Sequence, residues 1–98
     1  MSVTTTSMTT ASIATRTLTV RYFAAAKAAA GTPEETVTVP AGATVADAVD
    51  ALRAGHGPEL HRVLDRCSFL LDEVAVRDRS AVLGDAVALD VLPPFAGG

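Results

Sequence analysis

Residues 86–98 read AVALDVLPPFAGG, a hydrophobic run that passes through two prolines and stops on two glycines. The apolar residues before the prolines alternate with their neighbours, and this alternation is typical of a β-strand with one buried face. These inward residues are Val87, Leu89 and Val91. Pro93 and Pro94 cannot continue a hydrogen-bonded strand, because each lacks a backbone N–H. The sequence therefore predicts a last strand followed by an extended tail over residues 93–98.

The end of this tail carries almost no side chain. Gly97 and Gly98 lack a Cβ, so their backbone can approach reactive atoms closely and adopt any φ. Six residues span at most about 20 Å when extended, which is enough to thread a narrow channel. A frayed terminus is the alternative, but frayed ends seldom follow a strand with two prolines and stop on two glycines. The pattern favours a tail that presents the carboxylate of Gly98 to another protein's active site.

Two strands are predicted at the start of the domain. Residues 17–23, TLTVRYF, alternate, and the residues on the inward face are Leu18, Val20 and Tyr22. Residues 35–40, ETVTVP, form a second strand with Val37 and Val39 inward. An alanine-rich helical turn that ends at Gly31 lies between them, so the two strands form a loose hairpin.

The clearest helix is predicted over residues 42–55, GATVADAVDALRAG. Thr44 is a good N-cap, Asp47 occupies the third helical position, and Gly55 ends the helix. Its apolar side chains share one helical face. They are Val45, Ala48, Val49 and Leu52.

The rest of the chain completes a strand, strand, helix, strand, strand order. Residues 57–66 predict another short helical turn, and residues 67–76 predict a strand interrupted near Asp72 and Glu73. A polar connection with a turn at Gly84 then leads to the last strand. This order predicts an α+β fold, with one main helix packed on one face of a mixed sheet. It is the order of the β-grasp, or ubiquitin-like, fold, in which the first and last strands are parallel neighbours at the centre.

Composition limits the class of protein. The chain has 98 residues and a formal net charge of -3, and it is expected to form one small domain without a basic nucleic-acid footprint. No apolar run is long enough to span a membrane, and a cytoplasmic location is expected. Residues 1–15 are rich in Thr and Ser and carry no charge, so they are expected to be disordered. The domains are then residues 1–15, a β-grasp domain at 16–92, and the tail at 93–98.

Several polar residues are interpreted as structural. Cys67 is expected to be a small core residue, because a cysteine at the start of a strand usually is. His56 and His61 are five apart and are expected at the surface, so no metal site is predicted. The remaining charged residues of the turns are expected to be solvated. These are Asp72, Glu73, Asp78, Asp85, Arg77 and Arg79.

Two segments together resemble the MoaD/ThiS sulfur-carrier family, and its MoaD branch in particular. They are LTVRYFAAAKAAAG, residues 18–31, and LGDAVALDVLPPFAGG, residues 83–98. The resemblance lies in the aromatic pair of the first strand, the Gly-Asp turn before the last strand and the Pro-Pro-x-x-Gly-Gly ending. Asp72 stands where many members have Asn, and Phe95 stands where Val is common.

The resemblance implies a mechanism that acts on the tail. A MoeB-like, ATP-using enzyme would adenylate the carboxylate of Gly98, and a persulfide sulfur would displace AMP to leave a thiocarboxylate. The sulfur would go to cyclic pyranopterin monophosphate, in a complex with the MoaE-like large subunit of molybdopterin synthase. The resemblance implies a heterotetramer of two small and two large subunits. The chain itself would bind no cofactor, and Gly97 and Gly98 would be its reacting end.

A partner-docking patch is also predicted. Phe23 and Leu92 point away from the buried face of their strands, and they lie close together if those strands are parallel neighbours. An exposed apolar pair beside a reactive tail suits a docking surface. The tail residues that would extend this contact are Pro93, Pro94, Phe95 and Ala96.

Three alternatives remain open at this point. The first is a ThiS-like carrier of sulfur for thiamine or another sulfur-containing metabolite. The second is a ubiquitin-like modifier that is joined through Gly98 to lysines of its targets. The third is a β-grasp binding module with an inert tail.

Overall fold

The computed structural model describes residues 14–94. The first thirteen residues and the last four, Phe95, Ala96, Gly97 and Gly98, lie outside the described part, and so do the predictions made for them. The elements in chain order are β1 (Thr15–Tyr22), α1 (Ala24–Ala30), β2 (Glu34–Pro40), α2 (Val45–Ala54), α3 (Pro58–Leu64), β3 (Ser68–Leu71), β4 (Val74–Ala75) and β5 (Ala88–Leu92). The first strand thus begins one residue before the expected start of the domain.

The strands form one mixed sheet in the order β2-β1-β5-β3-β4. β1 and β5 are parallel, and every other pair is antiparallel. The first and last strands are therefore neighbours inside the sheet, and the β-grasp prediction is confirmed. In the β1–β5 register Tyr22 lies opposite Val91.

The core lies between one face of the sheet and the helices. The inward residues of the two central strands are fully buried, as the alternation predicts; they are Leu18, Val20, Leu89 and Val91. The four apolar residues of α2 are buried against them. Burying each large aliphatic side chain contributes about 1.5–3 kcal/mol, so this layer is the main source of stability.

The ends of two helices are as the sequence predicts. The Thr44 hydroxyl accepts a hydrogen bond from the Asp47 N–H at 3.2 Å, and the Asp47 carboxylate accepts one from the Thr44 N–H at 2.9 Å. This reciprocal capping box begins α2. Gly31 ends α1 in the left-handed conformation, with φ of 79°.

Val87 does not join the core, and the prediction for this residue is wrong. β5 begins one residue later, at Ala88, and Val87 is 64% exposed. Ala86 is buried instead. The reason is that residues 86 and 87 still belong to the connection that follows the turn at Gly84, so the strand alternation does not extend back to them.

The interrupted strand of residues 67–76 is a hairpin of two antiparallel strands, β3 and β4. Asp72 and Glu73 form its two-residue turn, with φ of 47° and 70°. Hairpin turns of this hand need positive φ at both central residues, which matches the twist of the strands. The Asp72 carboxylate also accepts hydrogen bonds from the N–H groups of Val87 and Ala88, at 2.9 and 3.0 Å. The turn is thereby attached to the start of the central strand β5.

Substituting glycine at the two turn positions is expected to have opposite effects. Glu73→Gly relieves a left-handed side-chain clash and is expected to raise the free energy of unfolding by about 0.5–1 kcal/mol. Asp72→Gly relieves the same clash but removes two hydrogen bonds to the start of β5, so it is expected to lower it by about 1 kcal/mol. Urea denaturation of both variants measures the difference. Equal effects of the two substitutions would contradict a role for the Asp72 carboxylate.

Candidate functional site: the root of the tail

The tail leaves the sheet from the end of its central strand. β5 ends at Leu92, after which Pro93 is buried and Pro94 is exposed. Both prolines line a cleft of about 190 Å³. Its other walls are Ala25 of α1, Val63 of α3 and Arg66. The first two residues of the tail are thus held against the helices at this edge of the domain.

Phe23 lies at the corner where β1 passes into α1. Its backbone N–H donates to the carbonyl of Val91 at 3.2 Å, so the hydrogen bonding to β5 continues one residue beyond the end of β1. Ala24 then takes a left-handed φ of 51°, and the chain turns away sharply. The ring of Phe23 is 41% exposed, while Leu92 is half-buried.

The register explains why these two residues share one end of the sheet. Tyr22 lies opposite Val91, so the next residues along the parallel strands are Phe23 and Leu92. Leu92 also lies opposite Ser68 of β3. The structure therefore places both predicted apolar residues at the tail end of the sheet, as expected. Leu92 is half-buried and is therefore less accessible to a partner than Phe23.

An ion pair adjoins this apolar pair, and the sequence alone does not reveal it. Arg21 donates to both carboxylate oxygens of Asp90, from Nε at 2.6 Å and from Nη2 at 3.0 Å. Asp90 is 5% exposed, and its carboxylate raises the pKa of Arg21 through this hydrogen bond and its charge. The two residues are direct partners in the parallel register. A charged pair of this kind favours one register over its neighbours, because a slip would leave a buried carboxylate alone.

A second polar cluster supports the other side of β1. The Tyr22 hydroxyl donates to Glu35 Oε2 at 2.5 Å, and Nε2 of His56 lies 2.5 Å from the same oxygen. Burial, and then the hydrogen bond to Glu35, raise the pKa of Tyr22. His56 is half-buried here, so the prediction that it is a surface residue is wrong. Its ring fills the space between β1, β2 and the link from α2 to α3.

The other discounted histidine is structural as well. Nε2 of His61 lies 2.7 Å from the carbonyl oxygen of Arg53 and 3.1 Å from that of His56, at the end of α2. The last carbonyl groups of a helix have no partners within the helix, and the ring of His61 contacts two carbonyl oxygens at this end. His61 is half-buried there. Its expected surface position is therefore also corrected.

Cys67 is a core residue, as predicted. Burial raises the pKa of its thiol to about 11, and Sγ donates to the carbonyl of Val63 at 3.1 Å. The thiolate is the nucleophilic form of cysteine, so this residue is poorly suited to carry sulfur.

The charged turn residues are mostly solvated. The four carboxylates that the sequence places in turns are exposed; they are Asp72, Glu73, Asp78 and Asp85. Hydrogen bonds from the Ser80 N–H and hydroxyl lower the pKa of Asp78. Arg79 departs from the prediction: it is half-buried, with its guanidinium 4.7 Å from the ring centre of Phe69.

Neither a candidate metal site nor a helix that could span a membrane is found among residues 14–94. No group of three or more His, Cys, Asp and Glu side chains in this range could hold a metal ion. Within the same range, no helix has both the length and the apolar character needed to cross a bilayer.

Comparison with known proteins places the chain in a family. The model of the ThiS family matches residues 20–98, from the first strand through the final glycine. This chain belongs to the ThiS family. The molybdopterin synthase sulfur carrier subunit of Chlamydomonas reinhardtii is 38% identical over 82 residues, which cover 81% of this chain and 95% of that protein.

Solved structures resemble this ThiS-family chain over most of its length. The small archaeal modifier protein SAMP1 of Haloferax volcanii is 30% identical with a TM-score of 0.74, and the match covers 85% of this chain and all of that one. A complex of subunits 1 and 2 of the molybdopterin-converting factor of Helicobacter pylori contains a chain that is 23% identical with a TM-score of 0.59. That match covers 85% of this chain and 100% of the other, and it supports the fold alone.

Alkaline pH is expected to reveal the buried thiol. Because the pKa of Cys67 is raised on folding, its contribution to stability is complete below the pKa of the unfolded thiol, near 8.5, and is lost as the pH rises to about 11. The expected loss from Cys67 is about 2–3 kcal/mol between pH 8.5 and 11, and Tyr22, whose pKa is also raised, adds a further loss above its unfolded pKa near 10. Urea denaturation over this pH range measures it.

Cys67→Ala is the control for this pH effect. The variant lacks the thiol, so its stability is expected to fall less steeply than that of the unchanged protein between pH 8.5 and 10. Identical slopes for the two proteins would show that the thiol is not held in its neutral form by burial.

Proposed function

We propose that this chain is a sulfur-carrier protein that serves as the small subunit of molybdopterin synthase. The observation that carries the proposal is the match to the ThiS family, which runs through the Gly-Gly end, together with the 38% identity to a sulfur carrier subunit of that enzyme. The fold supports it, because the central strand β5 delivers the tail at one edge of the domain beside an exposed aromatic ring.

The reacting group is the terminal carboxylate of Gly98. A MoeB-like enzyme joins it to the AMP portion of ATP and releases diphosphate, which converts a poor electrophile into an acyl adenylate. A persulfide sulfur then attacks the carbonyl carbon, and AMP leaves. After further cleavage of the sulfur–sulfur bond by a reductant, Gly98 carries a thiocarboxylate, which donates its sulfur to cyclic pyranopterin monophosphate.

The residues of this chain position that end and leave catalysis to its partners. Pro93 is buried and fixes the direction in which the tail leaves the sheet, since its φ is restricted. Gly97 and Gly98 add no side chain that would crowd the carbonyl. Cys67 is buried with a raised pKa, so it does not compete as a sulfur carrier. Under this proposal the chain binds no cofactor of its own and works in the cytoplasm.

The proposed partners share the tail end of the sheet. The H. pylori neighbour is a complex of two subunits, and by analogy we propose a MoaE-like large subunit as the partner of this chain, in a heterotetramer. Phe23 and Leu92 would contact it, with the prolines and with Phe95 and Ala96 of the tail. The MoeB-like enzyme would use the same end of the sheet, because it must hold the same carboxylate.

A protein modifier is the second candidate. It is favoured by the similarity to SAMP1, which is named as a modifier protein. Both functions use an adenylated terminal glycine, so the tail does not separate them. Their products do: a carrier yields a free thiocarboxylate, whereas a modifier yields conjugates on target lysines that disappear when Gly97 and Gly98 are deleted.

Adding one alanine after Gly98 is expected to abolish sulfur loading while leaving the fold unchanged, because the reacting carboxylate is displaced from the activating site. The measurement is intact mass after incubation with ATP, a sulfur donor and a MoeB-like enzyme. The unchanged chain is expected to gain sulfur in place of one oxygen. If the extended chain is loaded as fast, the carboxylate mechanism is wrong.

Phe23→Glu is expected to weaken binding of the large subunit at least tenfold, because it places a charge in an apolar contact. The melting temperature is expected to change little, since the ring is 41% exposed. Val87→Glu is the matched control: it is also an exposed apolar residue, but it precedes β5 at the end of the strand opposite the tail. Titration calorimetry measures both, and equal losses would contradict a docking patch at Phe23.

A further inference from the structure

Two arginines beside the root of the tail have no acidic partner among residues 14–94. Arg62 of α3 and Arg66 of the turn after it are exposed, and within residues 14–94 neither forms an ion pair or a side-chain hydrogen bond. Most of the other arginines are engaged. Arg21 pairs with Asp90, Arg53 pairs with Asp50 and Asp65, Arg16 donates to the carbonyls of Gly84 and Ala86, and Arg79 donates to the carbonyl of Cys67.

The guanidinium groups of Arg62 and Arg66, unpaired within the described part of the chain, border one continuous surface. Arg66 and Val63 line the cleft that contains Pro93 and Pro94. The same two residues line a second cleft of about 330 Å³, whose other walls are Arg62 and Glu59. We call the three residues Arg62, Val63 and Arg66 the tail-root ridge. It carries two positive charges and one apolar side chain on a chain whose net charge is -3.

The ridge lies on the helix side of the tail, whereas the Phe23–Leu92 pair lies on the other side of the sheet. Pro93 is buried next to the ridge, and Leu92, the preceding residue, points the opposite way, as successive residues of a strand do. A protein that encloses the tail therefore meets two different surfaces, one apolar and one basic. The docking patch predicted from the sequence accounts for only the first.

We propose that the tail-root ridge docks an acidic segment of the large subunit, at the rim of the channel that receives the tail. This inference rests on the proposed function, because it requires a partner that encloses the chain end. Pro93 and Pro94, the first residues of the tail, line the same cleft as Val63 and Arg66, so the ridge comes to the channel rim when the tail is inserted.

The chemistry of the ridge selects a polypeptide carboxylate as its occupant. A guanidinium group pairs with a carboxylate through two parallel hydrogen bonds. Val63, which lines both clefts together with Arg66, offers an apolar contact for the aliphatic part of an acidic side chain. The cleft of about 190 Å³ is smaller than the usual binding site for a metabolite. Glu59 would disfavour a highly charged anion in the second cleft, but a single carboxylate near Arg66 avoids it.

Rim charges act mainly on the rate of association and its dependence on salt. Arg62→Glu and Arg66→Glu are each expected to weaken binding of the purified large subunit at least fivefold at low ionic strength. Raising the salt concentration is expected to bring the affinity of the unchanged chain towards that of the variants, since surface charges are screened. Stopped-flow association and titration calorimetry measure both effects.

Arg77→Glu is the matched control. Arg77 is exposed, is not part of an ion pair in the described residues, and lies after the edge strand β4, away from the tail. Its substitution changes the net charge by the same amount, so a general charge effect would appear in all three variants. We expect it to bind within twofold of the unchanged chain. Melting temperatures of the three variants show whether each one folds.

The possible outcomes separate this proposal from the proposed function. If the unchanged chain binds and both ridge variants bind equally well, or if the Arg77 variant loses as much, the ridge proposal is overturned and the carrier function stands. If the unchanged chain does not bind the large subunit, the proposed function fails and the ridge proposal fails with it. Loss confined to the two ridge variants, with loading of Gly98 unchanged by intact mass, supports the ridge as a contact of the large subunit.

Discussion

The parallel pairing of β1 with β5 brings the beginning and the end of the domain together at the centre of one sheet. Leu18, Val20, Leu89 and Val91 are fully buried along this pair, so it contains much of the core. The positions of Phe23, Leu92 and Pro93 depend on this pairing, because they follow its last paired residues. The chain end leaves from a strand that is held on both sides, and it leaves beside the residue at which β1 turns into α1. A tail attached to an edge strand would have no such fixed starting point.

Polar contacts on the two faces of β1 hold this strand in register with its two neighbours, β5 and β2. On the outer face Asp90 is almost fully buried beneath Arg21, its direct cross-strand partner. On the inner face the hydroxyl of Tyr22 meets Glu35 and His56 at the edge of the core. A slip of β1 against β5 would separate the first contact, and a slip against β2 would separate the second; either slip would move apolar residues to solvent. The positions of Phe23 and Leu92 beside the tail follow from that register.

The surface around the tail is divided into two chemical kinds. The sheet side carries the apolar pair Phe23 and Leu92, and the helix side carries the tail-root ridge. An apolar contact supplies affinity through buried area, and charges at a rim supply orientation and speed of association. Under the proposed function the chain binds two partners in turn, and such a division would allow the strength and the rate of binding to be set by different residues.

The fold and the family were readable in the sequence because their signals are local. Alternation identified the inward residues of β1, the side chains of Thr44 and Asp47 identified the start of α2, and the prolines and glycines identified the tail. Other features depend on residues that are far apart in the chain. Arg21 and Asp90 meet only through the parallel register. The half-buried His56 meets Glu35 only because β2 lies beside the link from α2 to α3, and Val87 is exposed because a turn delays the start of β5. Arg62 and Arg66 stand out only when the ion pairs of the other arginines are known. Local pattern therefore determined the elements, the α+β class and the composition of the tail on which the proposed function rests. Tertiary structure alone decided which charges are paired and which surfaces flank Pro93 and Pro94, because pairing depends on distances between elements that no single segment encodes.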